Sequence, residues 1–176
     1  MGQSGQWASP TLLGFVLLIG LAGCAASPVD IPFYQESTVQ LENTANDTYR
    51  FEVFKAVIGP NVTVHRRSGD SHTFELGSAT GFGSGSARSD PVTSIDLPDT
   101  ARRHGTYTLT PGETKNLAIE IRQDEALLVV VYNEEDDAIL GFHGVHCRPV
   151  YLASFTLTVR EEDPPDLHYS SSCGPR

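Results

Sequence analysis

Tyr49-Arg50-Phe51-Glu52-Val53 sets three apolar side chains against two charged ones in strict alternation. Successive side chains of an extended strand point to opposite faces, so this run buries one face and wets the other. Leu117-Ala118-Ile119-Glu120-Ile121-Arg122 repeats the pattern, and Phe155-Thr156-Leu157-Thr158-Val159 repeats it with hydroxyls on the wet face. Val62-Thr63-Val64, Phe74-Glu75-Leu76 and Tyr107-Thr108-Leu109 are shorter versions. Leu127 to Tyr132 is apolar throughout and rich in Val, which suits a central strand.

Turn chemistry falls between these runs. Gly59-Pro60-Asn61 separates two strands, Thr110-Pro111-Gly112-Glu113 places Pro and Gly for a tight turn, and Asn133 to Asp137 is polar. Gly77 to Pro91 is rich in Gly and Ser without a period and reads as a loop or crossover. No segment sustains the 3.6-residue period of a helix. Eight or nine strands joined by turns predict an all-β, antiparallel β-sandwich, with a small barrel as the alternative. The strand pattern resembles an immunoglobulin-like sandwich, although the only Trp is Trp7 and no Cys…Trp…Cys core exists.

The N-terminal stretch has a different composition. Leu12 to Ala26 is dominated by apolar and small residues, and no charged side chain precedes Asp30. An apolar core of about 7–15 residues ending in small residues reads as a signal h-region. Leu21-Ala22-Gly23-Cys24 at its end resembles the lipobox of secreted lipoproteins. That resemblance implies cleavage before Cys24 and lipidation of Cys24, with membrane lipid as a partner and the rest of the chain on the extracellular face. The start departs from the pattern in lacking a positive n-region, since the first Lys or Arg is Arg50. The organisation expected is a signal peptide over 1–23, a lipidated cysteine and tether over 24–35, a sandwich over 36–160 and a tail over 161–176.

The chain carries 22 acids against 12 bases, a net charge of −10, which argues against nucleic acid as a partner because no extended basic patch is present to neutralise phosphates. Lysine occurs only at Lys55 and Lys115. Acid excess with scarce lysine resembles the proteins of halophilic archaea, whose carboxylates hold water where salt screens repulsion. With Cys24 lipidated, Cys147 and Cys173 remain, and two cysteines in an oxidising compartment most simply pair. Asn46-Asp47-Thr48 and Asn61-Val62-Thr63 match the N-glycosylation pattern, making Asn46 and Asn61 candidate acceptors.

His143-Gly144-Val145-His146-Cys147 is the densest set of metal-ligating types. It fails the cupredoxin pattern, because no His follows Cys147 closely and the only Met is Met1. His143 and His146 are three apart and point to opposite faces of an extended segment. Glu134 to Asp137 offers oxygens to Ca²⁺ but lacks the spacing of an EF-hand loop. Gly81 to Ser86 has neither the Lys nor the helix of a phosphate loop. His65 and His72 flank a hairpin around Arg66-Arg67, and Arg102-Arg103-His104 is a second small basic patch. No Gly-x-Ser-x-Gly elbow is present. The expectation is a non-catalytic binding or structural module without a cofactor, held at the envelope and facing another envelope protein or a glycan. Its alternative is a metal-binding or redox accessory protein using His143 and His146.

Overall fold

The computed structural model describes residues 34–76, 79–82 and 90–174. The signal, the lipobox and residues 24–33 of the expected tether lie outside these residues, whereas Tyr34 and Gln35, counted with the tether, belong to the first strand. The described chain is all-β, with twelve strands in three sheets. They are β1 (Tyr34–Asn43), β2 (Tyr49–Val57), β3 (Asn61–Arg66), β4 (Ser71–Glu75), β5 (Ala79–Phe82) and β6 (Val92–Asp96), then β7 (Arg102–Leu109), β8 (Thr114–Arg122), β9 (Glu125–Asn133), β10 (Ile139–Val145), β11 (Tyr151–Arg160) and β12 (Asp166–Gly174).

A four-stranded sheet of order β12-β11-β1-β8 faces a five-stranded sheet of order β5-β10-β9-β2-β7, and neither closes into a barrel. Strand pairs are antiparallel except β1 with β11. The core between the two sheets holds Val39, Leu41, Ile119, Ile121, Phe155 and Leu157 from one side and Phe51, Val53, Val129 and Val131 from the other. The small sheet β4-β3-β6 adds a third layer. It buries Val62, Val64 and Val92 against Phe54, Ala56, Leu128, Val130 and Phe142 on the outer face of the five-stranded sheet.

This third layer explains why Leu127 to Val131 is apolar without alternation. The odd residues of β9 face the sandwich core and Leu128 and Val130 face the small sheet. Each such side chain contributes roughly 1.5–3 kcal/mol on burial, an upper estimate for a real unfolded chain. β2 divides along its length: Arg50 and Glu52 share a face with Phe54 and Ala56, but only the latter pair lies under the small sheet.

Beyond the seven legible runs and β10, which follows the polar turn after Asn133, four strands complete the fold. In β1 the inward positions include Ser37 and Asn43, both fully buried, which hide the alternation. Ser37 Oγ donates to Leu152 O at 2.6 Å, while Asn43 Nδ2 donates to Leu109 O at 2.9 Å and to Asp47 O at 2.8 Å. β5 lies inside the stretch 77–91 expected as a loop and pairs with β10. β6 pairs with β3. The segment 161–176, expected as a tail, contains β12, which pairs with β11 along nine residues of each strand.

β12 is also joined to the other sheet. Cys147, just past β10, is bonded to Cys173 with their Cα atoms 5.5 Å apart. The bridge spans a sequence separation of 26 and staples the four-stranded sheet to the five-stranded one along the β12 flank. A Cys147→Ala/Cys173→Ala variant is expected to lose about 3 kcal/mol of unfolding free energy, read by guanidinium titration without reductant. An unchanged midpoint would show that the ladder and side-chain packing alone hold β12.

Candidate functional site

β1 enters at Tyr34 and runs ten residues, about 33 Å, to Asn43 at the opposite end of the sandwich. The strand registers bring four loops to that far end: 44–48, 110–113, 134–138 and 161–165. They hold nine carboxylates and no Lys or Arg. Asp47 comes from the first loop and Glu113 from the second; Glu134, Glu135, Asp136 and Asp137 come from the third, and Glu161, Glu162 and Asp163 from the fourth.

Backbone hydrogen bonds tie the loops together. Thr44 N donates to Val159 O at 2.9 Å, Gly112 N to Asn43 O at 2.8 Å and Glu134 N to Thr48 O at 3.0 Å. The Asn46 N–H is capped by Glu161 Oε2 at 2.8 Å. In the 110–113 turn, Gly112 takes a positive φ of 79° and Glu113 N donates to Thr110 O at 3.0 Å. An open cleft of about 410 Å³ lies between Asn46, Asp47, Thr48, Asn133, Glu134 and Glu135. Beneath the loops Tyr49 is fully buried, and burial pushes its hydroxyl up to about 12, with Asp47, Glu161 and Asp136 adding to the rise.

The acidic turn 134–137, considered above as an oxygen cluster for Ca²⁺, is committed within the fold. Arg50 of β2 lies over the Tyr132 ring at 4.5 Å and reaches Glu134 at 3.1 Å and Asp137. Hydrogen bonding to Asp137 raises the Arg50 guanidinium above its ordinary value. Asn133 Oδ1 accepts from Glu135 N, Asp136 Oδ1 accepts from Ala138 N, and Asp137 holds a φ of 58° that Asp tolerates better than most residues.

The structure separates the members of the His143–Cys147 segment. His143, Val145 and Cys147 face inward, and Cys147 is spent in the disulfide. His143 is 4% exposed, stacked between Phe155 and Tyr169 with ring centroids at 5.7 and 3.5 Å, and its Nε2 has no partner among the described residues. His146 lies half-buried, with Nδ1 accepting from Arg148 N at 3.2 Å. Burial lowers His146 and the Arg148 charge adds to it.

The other sequence candidates are separate. His65 pairs with Asp96 at 2.8 Å, and His72 sits opposite Val64, on the other face of the hairpin. Arg66 donates to Asp90 O at 2.9 Å, and Arg103 pairs with Glu52 at 3.2 Å while covering the Phe54 ring. Arg102, Arg103 and His104 lie exposed on the edge strand β7, where charge discourages edge pairing. Asn46 and Asn61 are both exposed. Of Gly81 to Ser86, Gly81 and Phe82 belong to β5 and the rest lies outside the described residues. Sequence reasoning missed a cluster of Glu162, Asp166 and His168, because it treated 161–176 as a tail; a strand there puts 166 and 168 on one face. No family model, curated protein or solved structure matches this chain.

The burial of His143 lowers its imidazole to about 4, below the ordinary 6.5. Its contribution to stability is therefore complete above pH 6.5 and is lost as pH falls through 4. Between pH 6.5 and 5 the wild type is expected to lose about 2 kcal/mol that a His143→Phe variant keeps, measured by denaturant unfolding across that window. Parallel curves for the two proteins would show that His143 does not sense pH.

Proposed function

We propose that the chain is an exported, lipid-anchored β-sandwich that serves without catalysis as a binding module at the cell envelope, on the extracellular face. The lipobox resemblance at Leu21 to Cys24 supports the anchor. The Cys147–Cys173 bond supports an oxidising compartment, where structural disulfides persist. The scarcity of lysine and the acid excess support a saline milieu.

The observation that carries the binding role is the direction of β1. The chain enters the domain at Tyr34 and the four acidic loops lie at the other end. Only nine residues, 25 to 33, separate Cys24 from this entry. An anchor there leaves the loop end as the part of the domain farthest along the chain's first strand. Loops on a rigid β-scaffold are common places for recognition, and nine carboxylates favour a cationic protein surface over a neutral glycan. The partner this chemistry selects is a basic face of another envelope protein.

Two measurements test the reading. Intact mass of membrane-extracted protein is expected to show residues 24–176 carrying acyl chains, and Cys24→Ala is expected to release the protein from membranes. A photo-crosslinker at Glu135 is expected to capture one envelope protein, whereas one at Asp70, in the turn between β3 and β4, is not. Equal capture from both positions, or none from Glu135, would sink the binding role.

A further inference from the structure

Beyond the anchoring and binding reading, and without resting on it, we infer that Glu162, Asp166 and His168 form a surface site for a first-row divalent cation of the Zn²⁺ or Mn²⁺ class. Their three ligand atoms lie within 4.8 Å of one another. His168 Nε2 is 3.4 Å from Asp166 Oδ2 and 3.8 Å from Glu162 Oε1. A Zn²⁺ ion about 2.0–2.2 Å from each of its ligands holds tetrahedral ligand atoms about 3.4 Å apart. The side chains therefore already stand near the spacing that a metal imposes, and only a small closure is needed.

The strand supplies this arrangement. Asp166 and His168 are two apart in β12, so both project from the outer face of the four-stranded sheet. Glu162 approaches from the loop that precedes the strand. All three side chains are partly open to solvent, with 33–52% of their surface exposed. That openness leaves coordination positions for water or for a ligand from another molecule, the usual state of a site with three protein ligands.

Chemistry decides the class of cation. Carboxylates alone would take Mg²⁺, Ca²⁺ or Mn²⁺, whereas an imidazole nitrogen beside two carboxylates turns the set towards Zn²⁺ and its first-row neighbours. Two carboxylates this close repel one another, and a divalent cation between them replaces that repulsion with attraction on both. Asp163 and Glu161, adjacent in the same loop, add to the negative field that draws a cation in.

The test is titration of the full chain with Zn²⁺ alone at pH 7.5, followed by calorimetry. One equivalent is expected to bind saturably, with affinity at least tenfold weaker in His168→Ala and in Asp166→Asn. A Glu135→Gln/Asp136→Asn variant, which removes two acids from a different loop, is expected to bind within twofold of wild type. Far-UV circular dichroism checks that each variant keeps its β-structure, as the exposure of these residues predicts. Absence of a saturable equivalent would overturn the site. So would full binding by His168→Ala, or an equal loss in the Glu135/Asp136 variant, which would mark diffuse attraction to the acidic loops.

Discussion

Burial of β9 on both faces is the constraint on which the rest of this structure depends. A strand with Leu127, Val129 and Val131 on one side and Leu128 and Val130 on the other needs a layer over each face. The four-stranded sheet covers one and the small β4-β3-β6 sheet covers the other. The small sheet is too short to cover the whole five-stranded face. Where it stops, β2 changes from Phe54 and Ala56 to Arg50 and Glu52, and the surface becomes charged. The ion pairs of Arg50 and Arg103 therefore mark the limit of the third layer. Partly exposed pairs of this kind add about 1 kcal/mol each, so they define a boundary more than they hold it.

The two flanks of the sandwich are closed by different means. On the β7 and β8 side the chain itself turns the corner through Thr110 to Glu113. On the β12 side the five residues 146–150 carry the chain from β10 to β11, and the outermost strand β12 has no such link of its own to the five-stranded sheet among the described residues. The Cys147–Cys173 bond and the stack of Tyr169 on His143 close that flank instead. Both contacts reach across from β12 to the β10 segment. This arrangement keeps inside the protein a histidine whose Nε2 has no partner among the described residues, at a desolvation cost that grows when the ring is protonated.

Much of the fold was legible because alternation is a direct record of one-sided burial. The runs at 49–53, 117–122 and 155–159 all lie within strands of the two main sheets. Two kinds of strand escaped. β1 buries Ser37 and Asn43, whose hydrogen bonds to Leu152, Leu109 and Asp47 are tertiary and leave no mark in a local pattern. β12 lies on an edge, where Ser170 to Ser172 remain exposed and no apolar alternation is required. The count of eight or nine strands fell short of twelve for that reason. The same gap concealed Asp166 and His168, since their common face exists only if the segment is a strand. The opposed directions of His143 and His146 followed from strand geometry, but the depth of His143 depended on a Tyr from a strand that was not foreseen.

Charge is distributed as unevenly as it is abundant. The four loops at the far end carry nine carboxylates, while Arg102 and Arg103 sit on the β7 edge and Arg66 and Arg67 on or beside the small sheet. At about 0.1 M salt such a field extends about 10 Å and would attract any cation or basic surface. In molar salt it contracts to about 3 Å, the range of direct contact. Long-range steering then contributes little, and any attraction at this end falls to individual groups. Acids already held by Arg50 offer less to a ligand than acids that stand together around an imidazole. A protein suited to a saline surface would gain selectivity at this end from an arrangement like Glu162, Asp166 and His168, because coordination distances stay within the reach that salt leaves unscreened.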